Sequence, residues 1–187
     1  MNDPSFYPFP EFETDRLLLR EVEIGDAKRL FEIFNDKNAM EYYGMLPHED
    51  IAETNKLINI IKENHQTGKA IRWTLVNKET GKCIGTCGFH RFDEQRKRAE
   101  VGYECHPAEW RKGYMSEALR TILAHGFQSL KLHRIEGIVD GDNTPSKQLL
   151  LKLGFTYEGC MRERFYFRER YFDEHYYGLL SPEGEYK

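Results

Sequence analysis

Between Gly102 and Leu119 the chain reads GYECHPAEWRKGYMSEAL, with carboxylate, thiol, imidazole, cationic and hydroxyl side chains gathered around one central glycine. Arg111, Lys112, Gly113 and Ser116 stand where a strand-like run gives way to a helix-like one. A glycine there lets the backbone come close to a ligand, and the N–H groups of a helix start, at Tyr114, Met115 and Ser116, have no intrahelical partners. With the Ser116 hydroxyl and the two cations they suit a phosphate or pyrophosphate. Glu100 and Glu104 lie four residues apart in the preceding strand-like run, which puts both carboxylates on one face. The four cysteines, Cys83, Cys87, Cys105 and Cys160, form no CxxC pair, and the seven histidines show no HExxH-type spacing. Neither a metal centre nor a disulfide framework is expected, and the thiols are read as reduced.

The elements that must position these groups follow from periodicity. Arg16 to Val22 predicts a first strand. Gly25 and Asp26 are expected to cap a helix with Ala27, Leu30, Phe31 and Phe34 at helical spacing. A second helix is predicted from about Asp50 to Thr67, with Ile51, Leu57, Ile58 and Ile61 inward and Gly68 ending it. Alternation then predicts strands over Ile71 to Leu75, Cys83 to His90 and Ala99 to Cys105, the last with Ala99, Val101, Tyr103 and Cys105 on one face. Leu119, Ile122, Leu123, Phe127 and Leu130 predict a third helix, and Ile135, Gly137 and Val139 a strand. A short helix is expected with Thr144 as N-cap, Pro145 at its first position and Gly154 past its end. Strands near Phe155 to Cys160 and Tyr171 to Leu180 complete the order. The reading is one mixed α+β domain over 1–187, with 1–12 as an N-terminal extension, because hairpins join most of the central strands.

Composition narrows the classes. The chain has 187 residues, 40% hydrophobic and 31% charged, enough apolar material for a sizeable core. Its formal charge of −4 offers no global positive field for nucleic acid or an anionic membrane. No apolar run exceeds a few residues, and the N-terminus MNDPSFYPFPEFE lacks the basic start and apolar stretch of a secretory signal, so a cytoplasmic location is expected. RERFYFRER, Arg162 to Arg170, interleaves arginine with aromatics, but Glu163, Glu169, Asp173 and Glu174 offset its cations. A solvated hairpin is favoured there over a nucleic-acid platform.

Several stretches resemble the GNAT N-acetyltransferase superfamily, and within it the ribosomal-protein (Rim-type) subgroup. They are ETDRLLLR at Glu13 to Arg20, AEVGYE at Ala99 to Glu104, HPAEWRKGYMSEAL at His106 to Leu119, Asn143 to Ser146, Leu153 to Phe155 and Glu158-Gly159. Of the strict acyl-CoA loop pattern only Gly113 matches, Trp110 and Met115 standing at its other positions. The resemblance implies a mixed sheet of about seven strands with about four helices. It also implies two splayed central strands, ending near Cys105 and Asp140, that hold the pantetheine arm of acetyl-CoA. Backbone groups of Glu104 and Cys105 would pair with its amides, His106 and Asn143 would lie against it, and Pro107 would help the strands diverge. The implied reaction moves an acetyl group from the thioester to an amine, a peptide N-terminus or a small molecule. Glu104, ranked ahead of Glu100, would take the proton directly or through a water, and Ser146 would return one to the thiolate, since Leu150 stands where many relatives place a Tyr acid. Tyr42 to Met45 lie in a loop that shapes the acceptor pocket of relatives, with core aromatics as the plainer reading. A silent acyl-CoA-binding module and an RNA- or ribosome-docking protein are the rival classes. The oligomeric state, a homodimer included, is open.

Overall fold

Alternation drives the middle of the chain into strands. In β3 (Ala70–Asn77), Ile71, Trp73 and Leu75 are fully buried on one face while Arg72 and Thr74 point to the other. β4 (Cys83–Asp93) and β5 (Arg98–Cys105) continue the antiparallel ladder. A computed structural model describes residues 8–95 and 97–182. Among them, β1 (Phe12–Glu13), β2 (Leu17–Glu21), β6 (Arg134–Asp140), β7 (Thr156–Phe167) and β8 (Arg170–Leu180) complete an eight-stranded sheet in the order β1-β2-β3-β4-β5-β6-β8-β7. Four helices join it: α1 (Ala27–Phe34), α2 (Ile51–Gln66), α3 (Tyr114–Gln128) and α4 (Thr144–Lys152). The fold is α+β as expected. The eighth strand is β1, a two-residue strand beside β2, at the end of the segment expected to extend from the domain. Of that segment, 1–7 lie outside the described residues. Phe9 and Phe12 pack edge-on or tilted against Trp73, whose Nε1 donates to the Pro10 carbonyl at 2.6 Å.

The two faces of the sheet are unlike. Leu119, Ile122 and Leu123 of α3 and Leu150 of α4 close an apolar layer over Trp73, Phe89 and Ile135. Each large side chain so buried contributes about 1.5–3 kcal/mol. On the other face Leu30, Ile33 and Phe34 of α1 and Ile58 of α2 form a smaller cluster with Val22. Beneath it lies a polar layer in which Arg20 grips Asp26 at 2.7–2.8 Å and Thr74 donates to Asp26 at 3.1 Å.

Three details of the expected elements change. Asn143, not Thr144, caps α4: its Oδ1 accepts from Ser146 N at 3.1 Å, so Thr144 is the first helical residue and Pro145 the second. Asp26 precedes α1 but makes no side-chain cap, because its carboxylate is committed to Arg20. Ile51, expected inward, is 41% exposed, since the buried stripe of α2 runs through Thr54, Ile58 and His65.

Candidate active site

β5 and β6 are the parallel pair at the centre of the sheet, and they part. Their ladder has three registered pairs, Arg98 with Arg134, Ala99 with Ile135 and Glu100 with Glu136, and stops there although both strands continue. The Lys97 carbonyl accepts from His133 N (2.7 Å) on the β6 side, and His106 N reaches the Ile84 carbonyl (2.8 Å) on the β4 side. Alternation along β5 therefore turns the backbone groups of Val101, Tyr103 and Cys105 toward the gap and those of Glu104 toward β4. The expectation that Glu104 and Cys105 both present backbone groups is thus corrected to Tyr103 and Cys105. The Cys105 carbonyl is already taken by the Trp110 indole N–H at 2.7 Å. The remaining edge groups of this seam suit an extended amide-bearing ligand.

At the open end of the seam, the chain makes a short 3₁₀ turn at Pro107–Glu109 and then two left-handed residues, Arg111 (φ 61°) and Gly113 (φ 82°), before α3. Gly113 is the N-cap of α3 and no side chain caps that end. Tyr114 and Met115 pack toward the core, and the Tyr114 hydroxyl accepts from Asn77 Nδ2 at 3.0 Å, so both face outward through backbone only. Ser116 is buried, and its Oγ has no hydrogen-bond partner. A hydroxyl left in that state costs free energy unless something arrives to meet it. Lys112 pairs with Glu109 at 2.9 Å, while Arg16, a cation that sequence reading passed over, donates to the Lys112 carbonyl (2.9 Å) and lies 4.5 Å over the Tyr114 ring. Arg16 also pairs with Glu117 at 2.6 Å, so of the three cations two are matched by carboxylates; the uncapped N–H groups, the orphan hydroxyl and the exposed Arg111 fit an anionic phosphate.

The candidate acid–base residues separate. Glu104 is buried beneath the loop that follows α1, and three donors converge on it. Tyr43 Oη donates to Oε2 at 2.9 Å, Arg72 Nη2 donates to the same oxygen, and Thr86 Oγ1 donates to Oε1. Burial works against the charge on Arg72, and Glu104, with Tyr43 and Cys87, more than offsets it, so Arg72 is held above its ordinary pKa; burial and then Glu104 raise the Tyr43 phenol too. Glu100 stands at the last paired position of the seam, with Arg91 Nη1 at 3.0 Å and His90 Nε2 at 3.7 Å. His90 is pushed down to about 4 by burial first, then by Arg72 and Arg91.

Ser146 lies on the opposite face from Glu104. Its Oγ is 2.5 Å from the Tyr103 hydroxyl, in the first turn of α4. Burial pushes the Tyr103 phenol up to about 12, Ser146 working the other way. The base and hydroxyl candidates thus flank the seam from two sides, tied to adjacent residues of β5. Asn143 is spent on capping α4, and His106 Nδ1 accepts from Ala108 N (3.1 Å) to form the turn after β5, with Nε2 3.5 Å from Glu32. Cys105 is half-buried, and burial first, then Glu109 and Glu104, lift its thiol to about 12, far from a thiolate nucleophile. Among the described residues no three His, Cys, Asp or Glu side chains converge as metal ligands do.

Sequence reading missed Arg72, Thr86 and Tyr103 as site residues, and it left Tyr43 as core. A signal for Arg72 was present: a charged residue set between Ile71 and Trp73 in a strand that is mostly apolar.

The acetyltransferase (GNAT) domain family matches residues 16–156. An N-acetyltransferase of Bacillus subtilis named YoaA, itself uncharacterized, is 37% identical over 174 residues, 93% of this chain and 98% of the relative. The ribosomal-protein-serine acetyltransferase of Escherichia coli is 31% identical over 116 residues, 62% of this chain and 64% of that one. The crystal structure of spermidine N-acetyltransferase from Vibrio cholerae in complex with CoA and spermine superposes with a TM-score of 0.79 at 25% identity, covering 90% of this chain and 97% of that one.

Proposed function

The chain belongs to the GNAT acetyltransferase family, and from that premise we propose that it moves the acetyl group of acetyl-CoA onto a primary amine that enters from the α1–α2 face. The observation that carries this reading is the seam between β5 and β6, flanked by the uncapped start of α3 at one end and by Glu104 on the acceptor face. The free edge of β5 at Tyr103 and Cys105 pairs with the pantetheine amides, and Gly113 to Ser116 hold the pyrophosphate, with Arg16, Arg111 and Lys112 adding charge. Bound there, acetyl-CoA supplies an acyl carbon activated by its thioester.

Glu104 receives the proton. A carboxylate offers about four lone-pair sites, and Tyr43, Arg72 and Thr86 occupy three, which leaves one for an amine N–H. The neutral amine forms its bond to the acetyl carbon as the C–S bond breaks, the nitrogen loses its proton to Glu104, and Ser146 gives one to the departing sulfur; Glu104 then releases its proton to water, and water returns one to the hydroxyl pair of Ser146 and Tyr103. With a reference pKa of about 7.7–8.0, an α-amino group needs only a modest base, which favours a peptide N-terminus. A small cationic amine is the second reading. Glu41, Asp142 and Asp140 lie close enough to Tyr42, on the acceptor loop, to raise its phenol pKa beyond the effect of burial.

A thiol-release assay with acetyl-CoA and a panel of N-terminal peptides, polyamines and amino compounds tests the reading. The accepted class gains about 42 Da, the mass of an acetyl replacing a hydrogen, and Glu104→Gln lowers its turnover by about 10²–10⁴-fold, less so as pH rises and the amine deprotonates unaided. A Glu104→Gln protein with wild-type turnover and an unchanged pH–rate profile removes Glu104 from the reaction.

A further inference from the structure

Four elements meet at the Glu104 carboxylate, and one residue touches every other member. Arg72 gives Nε to Thr86 Oγ1 at 2.5 Å, Nη2 to the Tyr43 hydroxyl at 3.3 Å and Nη2 to Glu104. To reach β5 from β3, its side chain crosses β4 along a row of glycines: Arg72 is registered with Gly88, and Gly88 with Gly102. A Cβ at Gly102 would stand in ordinary contact with Arg72 Nη1, at 3.6 Å, and closer to His90 Cε1, at 3.2 Å, so the guanidinium lies directly over this glycine. The side chains of Arg72 and Glu104 are only 16% and 3% exposed. An ion pair at that depth gains little stability over an apolar pair of the same volume, so stability alone does not account for it.

We propose that Arg72 is a positioning residue for acetyl transfer, which rests on the reading of Glu104 as proton acceptor. The guanidinium fork fixes one carboxylate oxygen directly and the other through Thr86, and so aims the remaining lone pair at the acceptor face. Lys, a point charge with no fixed fork, cannot bond Thr86 and Glu104 in this geometry. Tyr43 is the one donor of the set carried by a loop, so the strand-borne pair of Arg72 and Thr86 sets the orientation.

The test uses the full chain as Arg72→Gln, Arg72→Lys, Glu104→Gln and the Arg72→Gln/Glu104→Gln double variant. Turnover, acetyl-CoA affinity by calorimetry and Tm are measured for each. Arg72→Gln is expected to lower kcat about 10²-fold with acetyl-CoA affinity kept, the scale of a misplacement near 1 Å. Arg72→Lys falls between it and wild type. In the Glu104→Gln background the Arg72 change costs no further rate, and the double variant melts above Arg72→Gln because the lone buried carboxylate is gone. If Arg72→Gln does not fold, Arg72→Lys and the double variant carry the test. Equal rate losses from the Arg72 change in both backgrounds, or wild-type turnover in Arg72→Lys, overturn the positioning role alone. Wild-type turnover in Glu104→Gln overturns the base assignment and this role with it.

Discussion

Replacing Ser116 by Ala should move two measurements in opposite directions. The Ser116 hydroxyl is buried in the first turn of α3 and has no partner. An unmet buried hydroxyl costs about 1–3 kcal/mol, and Ala is also the better helix former by up to about 0.5 kcal/mol. Ser116→Ala should therefore stabilise the ligand-free protein by at least about 1 kcal/mol, a rise in Tm of about 2–4 °C for a chain of this size. If the hydroxyl is kept for a phosphate oxygen, its loss removes a hydrogen bond to a charged group worth about 1.5–3 kcal/mol, so acetyl-CoA should bind about tenfold more weakly or worse. Differential scanning calorimetry without ligand and titration calorimetry with acetyl-CoA read the two effects separately. A variant that melts no higher than wild type and binds acetyl-CoA as tightly would refute the idea that this hydroxyl waits for the ligand.

Other outcomes follow from the same geometry. Gly113→Val places a β-branched residue at φ 82°, so the start of α3 must shift, and acetyl-CoA affinity should fall about tenfold, or roughly 1.4 kcal/mol, in a protein that circular dichroism shows to be folded. Cys105→Ala should keep full activity, and mass spectrometry of the wild-type protein after acetyl-CoA treatment should find no acetyl-cysteine, since burial holds that thiol near 12. His90 has its pKa lowered from 6.5 to about 4, so the unfolded chain takes up the proton first and stability falls as pH drops from about 6.5 toward 4. The side chain is 40% exposed, which keeps this loss small, and His90→Gln should flatten the Tm–pH curve in that window; an unchanged slope would assign the acid loss to other groups.

The strand positions and the turn into α3 could be read from the chain because alternation and one glycine suffice to mark them. Ala99, Val101 and Tyr103 share the α3 face as their parity demands, and Gly113 takes the left-handed conformation that its place before a helix requires. Caps were harder. Asn143 and Thr144 are both good capping residues, and the preference of proline for the first helical position pointed one residue too far, whereas Asn143 Oδ1 reaches Ser146 N. Ile51 misled because its helix packs through Thr54 and His65, two buried polar residues that an apolar count passes over. The Arg72 network was hidden for a related reason: in β3 the apolar parity was followed and the other half of the alternation was not. Tyr43 meets Glu104 across 61 positions of sequence, a pairing that no local pattern encodes.

The three-pair ladder between β5 and β6 has a mechanical consequence. It divides the sheet into β1 to β5 and β6 to β8, and along this line backbone bonding holds the halves together at one end only. Such a joint opens like a jaw on its short closed end, which three registered pairs hold. An extended ligand lying in it would act as a splint, carrying load from one half to the other. Amide exchange should then slow on both banks of the opening, at Val101 to Cys105 and at Gly137 to Asp140, although the ladder registers no residue of one bank with the other there. The candidate cleft is thus also the crease of the molecule, and a ligand seated there would set how stiff that crease is.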